Sequence, residues 1–237
     1  MHTWSGVDGS RSAFEDFGCS KPGIPPSRQP DALIAFEQIG TRLHFKRGQE
    51  IYAEGDVADS WYSVMSGTVR ICKLLADGRR HIAEFCFAGD CFGLFTLAMR
   101  AVSAEAVGEV FVMCYPKHQA DRLIDENPRL ARDLYHRTVC ELAKAQSRTT
   151  LLARLTATER VASFLIEVFN RGHAPHTLNL PMTRYDIADY LGLTLETVCR
   201  ELSALKRDGV IASSGRRSTH IELRDRDALE GLCEAAR

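Results

Sequence analysis

The sequence predicts an α+β fold in which an antiparallel β-barrel is followed by a long helix and a winged helix-turn-helix domain. Three observations support this prediction. Short apolar or alternating stretches, separated by glycines, fill the chain from Thr41 to Tyr115; helical periodicity dominates from Pro128; and two short helical patterns meet at Gly192. With 237 residues, the chain is long enough for two modest domains that each have their own core.

The composition is that of an ordinary globular protein, with 45% hydrophobic and 26% charged residues. The net charge of −1 neither indicates nor excludes a nucleic-acid partner, because binding depends on where the basic groups cluster. No apolar run approaches the length of a membrane span, and no basic-then-apolar signal pattern begins the chain. We therefore expect a cytoplasmic protein with no membrane partner.

The eight cysteines are scattered along the chain without a C-x-x-C pair, so a zinc site is not expected. In a reducing compartment most of them should be free thiols. Cys72, Cys86 and Cys114 lie in apolar stretches typical of strands, and we interpret them as small buried hydrophobic side chains.

The N-terminal half predicts an arm followed by the barrel. Residues 1–30 are rich in Ser, Gly and Pro and lack periodicity, which is typical of a flexible arm. The next domain, residues 31–127, should begin with a short helix from Asp31 to Ile39 and continue as short strands separated by glycine turns. Evenly spaced short strands favour a compact antiparallel barrel. The predicted strands are Arg42–Phe45, Glu50–Tyr52, Ser60–Ser66, Thr68–Leu75, Arg79–Phe87 and Val102–Pro116.

A long helix is predicted from Pro128, a residue that fits the first turn of a helix. Its apolar stripe, which recurs at three-, four- or eight-residue intervals, consists of Leu130, Leu134, Leu142, Ala145, Thr149 and Leu152. A helix between two small domains has little of its own chain to bury against, so we expect residues 128–155 to associate with a second copy in a symmetric dimer. The alternative is that the stripe packs only against the chain's own barrel.

The C-terminal domain is predicted to span residues 156–237. A hinge is expected at residues 155–158, after which Thr158 should cap a helix from Glu159 to Phe169 that ends at Gly172.

The helix-turn-helix pattern follows within this domain. Thr183 can cap its first helix with Asp186 as the acidic partner, Gly192 supplies the turn, and Thr194 can cap the second helix.

The second helix of this pattern has a polar face that matches the chemistry of base edges. Its apolar residues, Val198, Leu202 and Leu205, fall on one side and should pack inward. The opposite side carries Glu196, Arg200, Ser203 and Arg207, with Cys199 at its margin. Arginine can bond bidentately to guanine, and glutamate can accept from the cytosine amino group. The alternative is an amphipathic hairpin whose charges meet only water.

A basic β-hairpin is predicted after this helix. The segments Val210–Ile211 and His220–Leu223 flank the turn-rich stretch Ser213–Ser218, which contains Arg216 and Arg217. Both arginines would then lie where phosphates run and would supply affinity that weakens with salt. Helix, turn, helix and basic wing in this order favour a domain that binds double-stranded DNA.

Four segments carry a resemblance to the CRP/FNR family of bacterial transcription regulators. They are residues 47–56, 64–69 and 87–93 of the barrel and residues 183–200 of the helix-turn-helix, and the resemblance covers about residues 31–232. It implies a cyclic-nucleotide-binding-type β-roll, a dimerisation helix and a winged helix-turn-helix. It also implies that Glu196, Cys199 and Arg200, at the positions of the family's Glu-x-x-Ser-Arg pattern, recognise a palindrome with TTGA-type half-sites. The residues expected to contact the DNA backbone or support the motif are Thr183, Thr194, Thr197, Ser203, Arg207, Arg216 and Arg217.

Departures from the family pattern indicate its FixK-like subgroup. The arm has only Cys19, whereas the family's oxygen sensors need several N-terminal cysteines for an iron–sulfur cluster. No arginine precedes Ser103 at the aligned position, so a nucleotide phosphate would lack its bidentate partner, although Arg100 lies nearby. We therefore expect no cofactor. By resemblance, the chain should activate low-oxygen and nitrogen-fixation genes as a homodimer, in contact with RNA polymerase and without a small-molecule effector.

Other functions remain as alternatives. Within the family, an iron–sulfur cluster, haem or nucleotide could gate the regulator. An enzyme is not expected, because no phosphate loop, nucleophile elbow or metal-ligand spacing is present. A protein-binding interaction module is a further class. Finally, Cys199 replaces the family serine near Arg200, and oxidation there would add bulk and charge opposite DNA; the alternative is an inert, half-buried thiol.

Overall fold

Eight antiparallel strands form the N-terminal domain in the computed structural model, which describes residues 36, 38–94, 98–172, 176–213 and 219–234. The strands are β1 (Thr41–Phe45), β2 (Glu50–Tyr52), β3 (Ser60–Ser66), β4 (Thr68–Leu74), β5 (Arg80–Phe87), β6 (Cys91–Phe92), β7 (Ser103–Ala106) and β8 (Val110–Pro116). They make two four-stranded sheets with the orders β1-β8-β3-β6 and β2-β7-β4-β5. Side chains from both sheets, including Val69, Val110 and Val112, form the core between them.

One predicted strand proves to be two. The stretch Val102–Pro116 contains β7, which pairs with β2 and β4, and β8, which pairs with β1 and β3. Residues 107–109 bend between them and carry the chain from one sheet to the other. The prediction treated the run as continuous because its apolar pattern continues through the bend. The short strand β6 was also missed.

Two helices follow the β-roll, α1 (Lys117–Glu126) and α2 (Pro128–Arg154). The predicted apolar stripe on α2 has two different environments. Leu130 and Leu134 pack on the chain's own β-roll, in a cluster with Trp61 and Tyr115. Leu142, Ala145 and Thr149 are exposed. Packing on the barrel therefore accounts only for the beginning of the stripe.

The described residues of the C-terminal domain form four helices and a three-stranded sheet. The helices are α3 (Ala157–Arg171), α4 (Arg184–Leu191), α5 (Leu195–Arg207) and α6 (Arg226–Glu234), and the strands are β9 (Thr177–Asn179), β10 (Ile211–Ser213) and β11 (His220–Leu223). The sheet order is β10-β11-β9. The predicted hairpin is therefore present as β10 and β11, and β9 is an additional edge strand. Leu165, Ile187, Val198 and Leu229 are among the fully buried core residues.

The predicted cap of α3 was wrong by two residues. Thr156, not Thr158, caps the helix: its hydroxyl accepts from the Glu159 backbone N–H, and the Glu159 carboxylate accepts from the Thr156 N–H. The spacing Thr156-x-x-Glu159 satisfies two backbone donors at once, which Thr158 cannot do. The helix consequently begins at Ala157, and its C-terminal cap is Gly172 as predicted.

An interdomain cluster of charged residues joins the β-roll to the C-terminal domain. Arg70 on β4 and Arg80 on β5 both donate to Asp186 Oδ1 on α4, at 3.0 and 2.6 Å. Arg80 also pairs with Asp189, and Arg70 with Glu105 of β7. We call these five residues the interdomain cluster.

Apolar contacts line the same seam. Phe85 of β5 lies 5.0 Å from the Tyr190 ring and 6.4 Å from the Phe164 ring, measured between centroids. Arg148 of α2 donates to the carbonyls of Ile82 and Tyr190 at 3.1 and 2.9 Å. The β-roll, the long helix and the C-terminal domain therefore meet at this seam.

Candidate nucleic-acid interface

The two short helices of the predicted helix-turn-helix are capped as the sequence indicates. The Thr183 hydroxyl accepts from the Asp186 N–H, and Asp186 Oδ2 accepts from the Thr183 N–H at 2.9 Å. Gly192 then adopts the left-handed conformation, with φ of +63°, that lets the chain turn between α4 and α5. Thr194 caps α5 by accepting from the Thr197 N–H at 3.2 Å. Local hydrogen bonds therefore fix where both helices begin.

Helix α5 is buried on one face and exposed on the other. Val198, Leu202 and Leu205 are buried against the rest of the domain, as predicted. The opposite face exposes Glu196, Arg200, Ser203 and Arg207. The Arg200 and Arg207 side chains are 68% and 76% exposed. The face therefore presents an acid and two guanidinium groups to a partner.

The polar residues at this face and at the start of α5 differ in whether their side chains are hydrogen-bonded within the helix. The Ser203 hydroxyl donates to the Cys199 carbonyl within the helix, at 2.7 Å. The Thr194 and Thr197 hydroxyls lie 3.1 Å apart and hydrogen-bond to each other. These three residues shape the helix and its start, while Glu196 and Arg200 extend from it.

A buried acid on α5 was missed by the sequence argument. Glu201 Oε1 accepts from Arg200 Nε at 3.1 Å, and Glu201 Oε2 accepts from the Thr158 hydroxyl at 2.7 Å. The only sequence signal was an acid one residue after the recognition arginine, and a charge at that position is usually solvated. Its burial depends on α3 packing against α5, which the sequence pattern does not report.

Cys199 lies half-buried at the margin of this face. Arg184, the first residue of α4, approaches its sulfur with Nη1 at 3.5 Å. The thiols of the β-roll have a different environment: Cys72 and Cys86 are buried, as predicted, and Cys114 is partly buried. Burial and the adjacent Glu105 carboxylate raise the pKa of Cys72 to about 12. Of these four thiols, Cys199 is the one beside the proposed DNA surface.

The wing is only partly described. Strand β10 pairs with β11 in the register Ile211 to Leu223, and Lys206 of α5 donates to the Ser213 carbonyl at 2.6 Å. This bond connects the end of α5 to the start of the wing. Arg216 and Arg217, predicted at the tip, lie outside the described residues.

The interior of the β-roll contains an arginine that is held by the protein itself. Arg100 is 2% exposed, and it donates to the carbonyls of Gly93, at 2.9 Å, and Ser60. Its guanidinium lies 4.2 Å from the centroid of the Tyr52 ring. Gly93 has φ of +72°, and a Cβ there would lie 2.7 Å from Arg100 Nη1. Glycine therefore makes room for this guanidinium.

These residues do not fit a cyclic phosphate. The guanidinium that would meet the phosphate is already bound to two backbone carbonyls and stacked on an aromatic ring. Tyr52, Tyr62 and Phe92 stack on one another in the same interior. A nucleotide would have to displace Arg100 from several contacts at once.

The exposed face of α2 is apolar. Tyr135, Val139 and Leu142, at i, i+4 and i+7, lie on one face and are 66, 37 and 59% exposed.

Across the described ranges, no helix is both long and apolar enough for a membrane span. The same residues contain no cluster of three or more His, Cys, Asp or Glu side chains arranged to hold a metal ion.

Comparison with known proteins extends these findings. Residues 159–232 match the Crp-like helix-turn-helix domain, and residues 42–127 match the cyclic nucleotide-binding domain. The chain is 42% identical to the nitrogen fixation regulation protein FixK of Bradyrhizobium diazoefficiens over 184 residues, which cover 76% of this chain and 78% of that protein. It is also 42% identical to the FixK protein of Azorhizobium caulinodans over 211 residues, 87% of this chain and 84% of that protein.

A solved structure agrees with these matches. The structure of FixK2 from Bradyrhizobium japonicum superposes with a TM-score of 0.78 at 41% identity, and the match covers 82% of this chain and 97% of that one. The predicted α+β fold, with its β-roll and C-terminal helix-turn-helix, is therefore confirmed.

Proposed function

The chain belongs to the CRP/FNR family of DNA-binding transcription regulators, and we propose that it acts as a homodimeric activator that needs no small-molecule effector. Its binding site is a palindrome with TTGA-type half-sites. Its targets are low-oxygen and nitrogen-fixation genes, a proposal that rests on its similarity to two nitrogen fixation regulation proteins. RNA polymerase is the second partner that an activator requires.

The observation that carries this proposal is the open face of α5. Arg200 meets the guanine of each half-site and Glu196 meets the paired cytosine, since these side chains match those base edges. Both are exposed, while Val198 behind them is fully buried. Cys199, at the margin of this face, contacts the edge of the same bases. The supporting residues are Thr183, Thr194, Thr197, Ser203, Arg207, Arg216 and Arg217.

Dimerisation is supported by α2. The exposed side chains of Tyr135, Val139 and Leu142 form an apolar face that a second copy of the same helix would cover. We propose the division into an arm (1–30), a β-roll (31–127), a dimerisation helix (128–155) and a DNA-binding domain (156–237). Two α5 helices would then enter successive major grooves about 34 Å apart.

Independence from an effector is supported by Arg100 and by the interdomain cluster. Arg100 is bound to carbonyls inside the β-roll. The ion pairs of Arg70 and Arg80 with Asp186 hold the DNA-binding domain on the β-roll without a ligand. A regulator built in this way would be controlled by its abundance.

Binding to two matched duplexes tests the proposal. One carries the TTGA-type palindrome, and the other has the G·C pair of each half-site replaced by A·T. We expect the first duplex to bind tighter by about 1–3 kcal/mol for each replaced pair, and affinity for both to fall as salt rises. Equal affinity for the two duplexes would contradict base recognition. Adding cyclic AMP should leave both affinities unchanged, and a tenfold gain would contradict effector independence.

Oxidation of Cys199 is the regulatory step we propose within this function. A sulfenic or sulfinic acid at this position would add bulk and then negative charge opposite DNA. Arg184 Nη1 lies 3.5 Å from the sulfur, and Cys199 is only half-buried, so peroxide can reach it. The Cys199→Ser variant should keep DNA binding and resist peroxide, with Cys72→Ser as the matched control that stays sensitive. Equal inhibition of the wild type and of Cys199→Ser would assign the effect to another site.

A further inference from the structure

The carboxylate of Glu201 connects the recognition arginine to a neighbouring helix. It accepts from Arg200 Nε at 3.1 Å through one oxygen and from the Thr158 hydroxyl at 2.7 Å through the other. The Glu201 side chain is only 12% exposed, whereas that of Arg200 is 68% exposed. We infer that Glu201 is a positioning residue that orients Arg200 for base recognition, an inference that rests on the proposed role of Arg200.

The contact uses the donor of Arg200 that is least suited to reach a base pair. With Nε bound to Glu201, the two terminal nitrogens form no hydrogen bond to the residues that the structure describes. These two nitrogens can bond to guanine O6 and N7 together. Neighbouring residues on a helix do not normally face each other, so this ion pair selects one arrangement of the arginine side chain. Glu201 thereby presents the end of the guanidinium outward.

Thr158 makes this arrangement rigid because it lies outside α5. It sits in the first turn of α3, a helix capped by Thr156, and its hydroxyl donates across to Glu201. Glu201 is therefore fixed between two helices that pack together, with both carboxylate oxygens occupied. An arginine ordered before binding loses less side-chain entropy when it meets its base.

The negative charge of Glu201 should also help the protein to distinguish the palindrome from other DNA. A carboxylate close to the DNA surface is repelled by phosphates on every sequence. Its hydrogen bond to Arg200 is useful only where a guanine is present. Glu201 should therefore strengthen binding to the correct site relative to other DNA, and it should not strengthen binding in general.

The test is the ratio of affinities for the palindrome and for the duplex with A·T in place of G·C. Glu201→Gln keeps the shape of the side chain and removes the charge. We expect this ratio to fall about three- to tenfold for each half-site, the loss corresponding to one arginine side chain that must be ordered on binding. Affinity for the altered duplex should stay constant or rise. Thr158→Val, which removes only the second hydrogen bond, should lower the ratio by less.

A matched control separates position from charge. Glu230→Gln removes the same charge from α6, where the carboxylate pairs with Arg226 and is 44% exposed. It should leave the ratio unchanged. If Glu230→Gln lowers the ratio as much as Glu201→Gln does, net charge explains the effect and the positioning role is excluded.

Measurements on Arg200→Ala, with and without Glu201→Gln, distinguish the base-reading role of Arg200 from the positioning role of Glu201. If Glu201 acts through Arg200, adding Glu201→Gln to Arg200→Ala should change the ratio no further. If Arg200→Ala itself leaves the ratio unchanged, the base-reading function fails. If Arg200→Ala lowers it and Glu201→Gln does not, only the positioning role fails. Equal loss on both duplexes with a lower unfolding temperature would make Glu201 a structural residue and would also overturn the inference.

Discussion

Two arginines show how differently the two domains use the same side chain. Arg100, in the β-roll, is 2% exposed and donates to carbonyls of its own domain. Arg200, on α5, has a side chain that is 68% exposed and, among the residues that the structure describes, is hydrogen-bonded at one nitrogen. The guanidinium of Arg100 is engaged in contacts that stabilise the β-roll. That of Arg200 is ordered yet available, which is the arrangement that recognition of a partner requires.

The same contrast extends to the thiols. Cys72 and Cys86 in the β-roll are buried, and burial raises the pKa of both. Cys199 is half-buried on the surface that we propose for DNA. The β-roll thus keeps Arg100 and these two thiols inside, whereas the helix-turn-helix carries Arg200 and Cys199 at its surface.

The largest effect is expected where the two regions meet. Asp186→Ala removes the acceptor shared by Arg70 and Arg80 and also breaks the Thr183 capping box. Its carboxylate is only 3% exposed, and losing one partner of a buried ion pair costs about 3–5 kcal/mol. Urea denaturation measures the change.

Asp189→Ala is the control, because that carboxylate is 30% exposed and pairs with Arg80. Its loss should cost at most about 1 kcal/mol. A loss of unfolding free energy for Asp186→Ala as small as that for Asp189→Ala would show that the ion pairs of Asp186 contribute little to stability.

The next effect separates the two arginines by stability. Arg100→Ala leaves two buried carbonyls without their charged donor, and hydrogen bonds to charged groups contribute about 1.5–3 kcal/mol each. We expect a loss of about 3 kcal/mol or more in the free energy of unfolding. At a temperature where the variant remains folded, the ratio of its affinities for the two duplexes should match that of the wild type. A changed ratio would mean that the β-roll interior takes part in recognition.

Arg200→Ala should have the opposite effects, with stability nearly unchanged and DNA recognition weakened. Its exposed side chain contributes little to stability, so the unfolding free energy should change by less than about 0.5 kcal/mol. Affinity for the palindrome should fall by about 1–3 kcal/mol, with discrimination lost at the guanine position. Fluorescence anisotropy with both duplexes measures this. A uniform loss on every sequence would assign Arg200 to phosphate contact.

Local patterns in the sequence were enough to predict most of the fold and the exposed part of the site. The caps at Thr183 and Thr194 and the turn at Gly192 depend on residues a few positions apart, and all three are present. The inward face of α5 follows from helical periodicity, and Val198, Leu202 and Leu205 are buried. The predicted strands failed mainly where an apolar run crosses between sheets, at residues 107–109.

Contacts between distant parts of the chain could not be predicted in this way. Arg70 and Asp186 are separated by 116 residues, and nothing in either local sequence indicates the other. Glu201 looks like a solvated charge until α3 is placed beside α5, which brings Thr158 to its carboxylate. The prediction that Thr158 caps α3 did not place its hydroxyl beside Glu201. Tertiary packing decides each of these cases.

The smallest effect concerns pH at the seam. Burial of Asp186 opposes ionisation, but hydrogen bonds from Thr183 and the charges of Arg70 and Arg80 outweigh it and hold the pKa of this carboxyl below its ordinary value. A pKa lowered by folding gives stability that is present above about pH 4, the ordinary range of an aspartate, and is lost as the pH falls through the lowered value. The difference in unfolding free energy between the wild type and Asp186→Asn should therefore be constant near neutral pH and shrink in acid. A difference that stays the same down to pH values where aspartates protonate would mean that the charge of Asp186 does not stabilise the seam. The two domains would then be held together by the packing around Phe85 and Tyr190 and by other polar contacts, such as those of Arg148.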